Sequence, residues 1–569
     1  MYWKRLTSCN YDSMKEMSKQ IELEIGGMTC SGCARHVIET LKSVEGVKEA
    51  HIADWQAGRA SIISENGDIS QENVQQAFEL AGRYQVTGWH SKGENTSPNT
   101  SGEDGYDLVV IGGGSAAFAA AIKTSELGGQ AAIINKGLPI GGTCVNVGCV
   151  PSKTMIRAAE ANHQPGHHRF EGISSRSEVT NFTAITSQTQ ELVKDLRQHK
   201  YLDVVADDPN ITIIEGRGRI VAEHVVEVNG EQLTAKNILI ATGASTYVPD
   251  IEGLEETGYL TNETAYTLTE QPEQLIVLGG GFIALENAQM FARLGSKVTV
   301  LQRSSRILSS ESVELAEALT TYLAHEGIEI TTNVDLKSVR RDGGEIVIAA
   351  LIDGQPQTIR GSHILVATGR KGNTDGVGLE EVGIEADARG YLIVDETLRT
   401  NVPHIFGAGD VIGEEQFVYT AAYEGNLAAE NAFRSFHLKR DYKALPWVIF
   451  TDPQVAGVGL DEHQAEAAGI EYEVSTLAME HVPRAIAARD TRGFIKLIRD
   501  ADTDQLVGAR ILAPEGSELL MEVTLAIKYG IPVAELISTF HPYLTLSEGI
   551  KLAAITFGKD VSKLSCCAV

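Results

Sequence analysis

Cysteine is scarce: seven residues in 569, too few for a disulfide-stapled secreted scaffold. Basic residues are also in deficit, 48 Lys and Arg against 76 Asp and Glu, for a net charge of -28. That field repels nucleic acid and anionic membrane surfaces and argues against either as a partner. No stretch approaches the roughly 18 consecutive apolar residues of a membrane-spanning helix, and the opening MYWKRLTSCNYDSMKEM lacks the apolar segment of a signal peptide. The expectation is a cytoplasmic chain without membrane insertion. What is present is an ordinary globular composition, 43% hydrophobic and 22% charged, over a length that predicts roughly three to five domains.

The few cysteines are patterned. Six fall in three close pairs, Cys30/Cys33, Cys144/Cys149 and Cys566/Cys567, and only Cys9 is alone, a bystander in a polar stretch. In a reducing compartment such pairs are redox-active or metal-binding more often than structural. Adjacent Cys566 and Cys567 would form a strained disulfide; two thiolates near a chain end suit the carriage of something soft and thiophilic.

Residues 20–90 alternate strand-like and helix-like stretches (IELEIGG, ARHVIETLKSV, VKEAHIADW, RASIIS, ENVQQAFELAG, RYQVTGW) and predict a small βαββαβ domain behind an N-terminal extension, 1–19. A polar, Gly- and Ser-rich stretch, 91–104, reads as a flexible linker. Then YDLVVIGGGSAAFAAAIKTSELGGQAAIINKG, a buried strand, Gly-rich turn, helix and strand, recurs as EQLIVLGGGFIALENAQMFARLGSKVTVLQRS. Gly112 to Asn135 and Gly279 to Gln302 both span 23 residues. The predicted fold is α/β, with two Rossmann-like dinucleotide-binding units. The first occupies 105–265 and is completed by 373–446; the second occupies 266–372; a C-terminal α+β domain follows at 447–569. Two such units suggest two dinucleotides, one passing electrons to the other.

Gly112, Gly114 and Ala117 fit G-x-G-x-x-G/A, in which glycines make the tight turn and let a pyrophosphate reach the helix N-terminus. Asn135 stands where a ribose-binding carboxylate is expected. Gly279, Gly281 and Ala284 repeat the pattern, and Gln302 is followed by Arg303 and Arg306, which can grip a 2′-phosphate and favour NADPH over NADH; the alternative is that these arginines only solvate the surface. Between the units lies GGTCVNVGCVPSK, 141–153. Cys149 precedes Pro151 and the helical stretch KTMIRAAE, so a helix dipole should favour its thiolate. The cluster NHQPGHHRF, with His163, His167 and His168, reads as a solvated loop.

The dithiol stretch, with ILIATGA, ILVATGRKGN and TNVPHIFGAGD, closely resembles the flavin-dependent disulfide oxidoreductases over residues 105–569. The resemblance implies FAD on the first glycine motif, with Thr143, Lys153, Asp410 and Glu286 at cofactor-facing positions, and the pyridine nucleotide on the second. Cys149 would be the flavin-facing thiol and Cys144 the exchanging one. It also implies a homodimer made through the C-terminal domain, whose tail serves the partner subunit. Members that reduce organic disulfides carry a His five residues before a Glu as an acid-base pair; in HPYLTLSEG, counting back from Glu548 lands on Tyr543. The alternative is a slip that lets His541 serve.

The ending HPYLTLSEGIKLAAITFGKDVSKLSCCAV resembles the metal-reducing branch of that family. It implies Hg(II) as substrate, received by Cys566 and Cys567 and passed to Cys144 and Cys149 beside Tyr201 and Tyr543; either tyrosine could instead be a packing aromatic. GGMTCSGCARHV resembles the heavy-metal-associated domain, with Cys30 and Cys33 as metal ligands; a thioredoxin-like CxxC fits this context poorly. The expected activity is reduction of thiol-bound Hg(II) to Hg(0) by NADPH. The rivals are a reductase of a small disulfide or of lipoamide, and a metal-sequestering or sensing thiol protein.

Overall fold

The structure is a computed structural model of the full chain. It describes residues 20–26, 31–44, 46–54, 59–64, 69, 73–75, 77–78, 85–92, 105–434 and 437–560. Cys30, Cys566 and Cys567 lie outside the described residues. The chain divides into two compact units, residues 1–102 and 103–569.

In the first unit, four antiparallel strands pair in the order Val47–Asp54, Arg59–Ser64, Gln20–Gly26, Gln85–Lys92. The helix Ser31–Lys42 carries Cys33 in its first turn. Period-2 apolar residues of the strands (Leu23, Ile25, Ala60, Ile62) and period-3.6 residues of the helix (Val37, Leu41) meet with Val74 and Phe78 in one core.

The second unit is built on two parallel sheets. Ile211–Glu215, Ala131–Asn135, Tyr106–Ile111 and Glu231–Ile240 line up in that order, with Ile405–Gly407 added parallel to Glu231–Ile240. Glu329–Thr331, Lys297–Leu301, Gln274–Leu278 and His363–Val366 form the second. Their central strands are continuous apolar runs, as strands covered on both faces must be: Leu108–Ile111 and Leu275–Leu278 are all buried. The last part of the chain forms a five-stranded antiparallel sheet from Pro446–Ile449 to Phe494–Asp500 and Tyr472–Ala478, covered by the helix Gly516–Tyr529 and followed by Glu548–Ile555. None of the described helices is long and apolar enough to cross a membrane.

One local expectation fails. The stretch NHQPGHHRF is not a loop: a helix runs Cys149–His167 and takes in His163, Pro165 and His167. Near a helix end Pro165 forfeits a single backbone bond, and the rings of His163 and His167, one turn apart, stack at 3.7 Å. The same helix starts at Cys149 itself, two residues before Pro151.

Candidate active site

The first glycine turn joins Tyr106–Ile111 to the helix Ser115–Glu126. Gly112 has φ 134°, and a Cβ there would fall 2.1 Å from the Ala241 carbonyl oxygen. Only glycine fits. No side chain caps the helix at Gly114, so its first N–H groups are open to an anion, and Ala117 is fully buried where helix meets sheet. Asn135 closes over the turn: a Cβ on Gly113 would strike its Oδ1 at 2.3 Å, and its amide donates to the Leu138 carbonyl at 3.0 Å.

The second turn, between Gln274–Leu278 and Phe282–Leu294, repeats this. Gly279 has φ 115°, with the Ala367 carbonyl oxygen 2.3 Å from a built Cβ; Ala284 is fully buried; Gly281 is uncapped. The two arginines behind it part company. Arg303 is exposed and lines the cleft with Gln302, Ser304, Ser309 and Ser310. Arg306 turns into its own loop, donating to the carbonyls of Ser309 at 2.9 Å and Glu311 at 3.2 Å. Of the two arginines expected to grip a phosphate, Arg306 is engaged by its own loop and Arg303 lines the cleft.

Between the turns, Gly142–Val147 carries Thr143 and Cys144, and after Gly148 the long helix opens on Cys149. Asn146, unremarked in the sequence, staples this segment: its amide donates to the carbonyls of Pro139 (2.9 Å), Ile140 (3.1 Å) and Gly142 (2.8 Å), and its oxygen accepts from Arg197 at 3.0 Å. The thiols form an asymmetric pair. A hydrogen bond from the Cys144 thiol holds Cys149 below the usual thiol range against the opposing effect of burial, and Lys153 adds to the lowering. The same bond, with burial, pushes Cys144 far up. The neighbouring thiol is the largest lowering influence, and a backbone N–H at the helix start adds to it. Lys153 meets Glu286 at 2.6 Å and lies 4.7 Å over the Phe450 ring; Glu286 also accepts the Phe450 backbone N–H at 2.9 Å.

A single cleft of about 1170 Å³ is lined by Gly114, Thr143, Cys144, Cys149, Lys153, Gly279, Gly281, Glu286, Arg303 and Asp410. Asp410 pairs with Arg370 at 3.4 Å, and burial raises its carboxyl. Tyr201 stands behind the dithiol rather than on the cleft wall. It lies in a π-helical turn, Gln198–Leu202, its ring edge-on to Phe118 at 5.1 Å and its hydroxyl 3.0 Å from the Ser115 hydroxyl. Burial raises its phenol, with the two cysteines contributing. Tyr543 does not line this cleft; it is exposed on the C-terminal domain. His541 does not replace it opposite Glu548, because its ring is engaged by Glu522 at 2.6 Å, while Glu548 accepts the Leu544 backbone N–H at 3.3 Å.

The cleft suits a dinucleotide at each turn. Gly114 and Gly142 pack backbone on backbone, a Cβ on Gly142 falling 2.7 Å from the Gly114 Cα, so no side chain fills the space beside the first turn, and the buried Nε of Arg370, a cleft residue, has no protein partner.

Known proteins share this architecture. The pyridine nucleotide-disulphide oxidoreductase profile matches residues 106–425, its dimerisation domain 445–554, and the heavy-metal-associated domain 22–83. A flavoprotein disulfide reductase from Escherichia coli, solved as its Cu(II) complex, superposes with a TM-score of 0.72 at 30% identity, covering 80% of this chain and 100% of that one. Fold and site define a pyridine nucleotide-disulphide oxidoreductase with a heavy-metal-associated domain in front. A mercuric reductase from Staphylococcus aureus is 41% identical over 96% of this chain and 99% of its own length, and one from Streptomyces lividans 45% identical over 82% and 98%. The chain belongs to the mercuric reductase family.

Proposed function

We propose that the protein reduces thiol-bound Hg(II) to Hg(0) with NADPH as electron donor, as a mercury-detoxifying enzyme of the cytoplasm. The reading rests on one observation above the others: Cys144 and Cys149 stand in the same cleft as both dinucleotide turns. The reaction balances as Hg(SR)₂ + NADPH + H⁺ → Hg(0) + 2 RSH + NADP⁺, a two-electron change that hydride chemistry matches. FAD, when bound, supplies the two-electron step between the pyridine nucleotide and the dithiol. Gly112, Gly114, Ala117, Asn135, Thr143 and Asp410 hold it, and Gly279, Gly281, Ala284 and Arg303 hold NADPH.

The chain's own chemistry lies in its thiols. Cys149, already inclined to the thiolate, and Cys144, which becomes one when its proton is released to solvent, give Hg(II) two soft ligands. Each transfer of metal exchanges one thiolate for another. The enzyme acts as a homodimer, in which Cys566, Cys567 and Tyr543 of the partner subunit complete the metal route and Tyr201 backs the dithiol. Cys30 and Cys33 collect metal in the first unit. A neutral phenol at position 543 cannot protonate a leaving thiolate as imidazolium does, which suits a metal substrate better than an organic disulfide.

The test is anaerobic NADPH oxidation by the purified flavoprotein with Hg(II) in excess thiol as sole acceptor, trapping volatile mercury. One Hg(0) per NADPH is expected, with loss of turnover in Cys566→Ala/Cys567→Ala. Turnover on glutathione disulfide or lipoamide without Hg(0) would overturn the reading, and metal binding without NADPH oxidation would point to sequestration.

A further inference from the structure

Glu424 is the least expected charge in the molecule. It is 1% exposed, on the inner face of the helix Val418–Phe433. Buried carboxylates need partners, and both partners of this one lie outside its own helix. One oxygen accepts the Gly409 backbone N–H at 2.6 Å; the other accepts the Tyr442 hydroxyl. Burial raises the Glu424 carboxyl to about 7, opposed by Tyr442, Gly409 and Arg440.

The helix is fixed at an unusually short distance from the first glycine turn. A Cβ on Gly425 would fall 2.2 Å from the Ala116 carbonyl oxygen, so residue 425 lets the helix pack backbone to backbone on Ser115–Glu126. That contact sets Glu424 in reach of Gly409. Gly409 itself has φ 78° and ψ -161°, a conformation that glycine alone adopts readily. A glycine in such a position has little to hold it except its hydrogen bonds. Its N–H goes to Glu424, and its carbonyl accepts from Ile412 at 3.0 Å, closing the short turn that begins at Asp410. Asp410 is the cleft residue assigned to the cofactor of the first dinucleotide-binding turn, and Arg370, its 3.4 Å partner, is itself anchored on the Ala244 carbonyl.

We infer that Glu424 is a positioning residue for the flavin site: with Tyr442 it pins the Gly409 N–H, and through that bond it fixes where Asp410 stands. The inference rests on the assignment of FAD to the first dinucleotide-binding turn, after Ile111. It also gives the segment entering the C-terminal domain, where Tyr442 lies, a direct hold on the cofactor turn. Arg440, whose guanidinium lies 5.7 Å from the Tyr442 ring and pairs with Glu414 at 2.7 Å, flanks this hold.

The test measures FAD release from the purified full-length holoenzyme, followed by recovery of free-flavin fluorescence on dilution, for Glu424→Ala, Glu424→Gln and Tyr442→Phe. Losing a charge-assisted bond to a buried N–H should speed release about 10- to 100-fold in Glu424→Ala. Glu424→Gln keeps an oxygen for Gly409 and should stay within about threefold of wild type; Tyr442→Phe should fall between the two. KM for NADPH should not change in any of them. Release at the wild-type rate from folded Glu424→Ala overturns the proposal, as does Glu424→Gln releasing as fast as Glu424→Ala. Should Glu424→Ala not fold, the other two decide: unchanged release in Tyr442→Phe, or fast release in Glu424→Gln, overturns it. A wild-type protein that carries no FAD would instead sink the cofactor assignment.

Discussion

The turns after Ile111 and after Leu278 are built from the same contacts. The Gly112 N–H donates to the Ile134 carbonyl at 2.8 Å and the Gly279 N–H to the Leu301 carbonyl at 2.9 Å; the residues whose carbonyls bar a Cβ from each turn, Ala241 and Ala367, donate their own N–H groups to the carbonyls of Ile111 and Leu278, both at 2.9 Å. The difference lies in what each helix faces. Ser115–Glu126 packs its alanines on Val418–Phe433, with no charged side chain toward the dithiol. Phe282–Leu294 puts Glu286 on Lys153. The first helix meets the thiol region through a neutral group, the Ser115 hydroxyl on Tyr201; the second meets it through a carboxylate, Glu286 on Lys153. A repeated motif therefore specifies the turn, while the residues outside the motif specify the task.

The sharpest way to break the comparison is to place a Cβ in each turn. Gly112→Ala should yield protein without flavin, because the clash with Ala241 lies in the FAD unit. Gly279→Ala should stay yellow yet lose kcat/KM for NADPH by at least about 100-fold, the clash with Ala367 being of the same order. Absorbance at 450 nm and steady-state kinetics read both. Flavin retained in Gly112→Ala and lost in Gly279→Ala would reverse the assignment of the two units.

A smaller effect sharpens the role of Glu286. In reduced enzyme, the rate of Cys149 alkylation by iodoacetamide reports its thiolate. Lys153 lowers the Cys149 pKa and Glu286 raises it, with the Cys144 thiol the largest lowering influence. Wild-type reactivity should therefore persist below the usual thiol range and fade as pH drops through the depressed pKa. Cys144→Ala should move the midpoint up most, Lys153→Met up by less, and Glu286→Gln down. A Glu286→Gln midpoint equal to that of wild type would mean that the second helix does not act on the thiol.

Much of this was legible in the sequence, because the deciding signals are local. Glycines at fixed spacing, apolar runs of strand length and the paired cysteines need no tertiary context to be read. Four features were not. Pro165 and Gly166 mimic a loop, yet the helix continues to His167 because a proline near its end costs it little. Glu424 meets partners that lie 15 and 18 residues away in sequence, and nothing in AAYEGNLAAE marks which face its side chain takes; Gly425 beside it was the available clue to close packing. Asn146 inside CVNVGC looked like filler but satisfies three carbonyls of the turn that holds Cys144.

Arg306 is the fourth, and it carries the smallest prediction. Charge count alone made Arg303 and Arg306 equivalent, whereas folding makes them opposite. The backbone carbonyls of Ser309 and Glu311 claim Arg306, and Glu311 is in turn held by Arg510 at 2.9 Å, so the loop is braced from behind. Arg303 has the cleft. Arg303→Ala should raise KM for NADPH about tenfold and leave KM for NADH nearly unchanged, because only the 2′-phosphate distinguishes the two. Arg306→Ala should raise both by only about twofold, since it loosens the loop without removing a phosphate contact. If instead Arg306→Ala alone abolishes the preference for NADPH, the loop must reopen on binding and release Arg306 to the phosphate, and the bracing by Arg510 would then be what cofactor binding has to overcome.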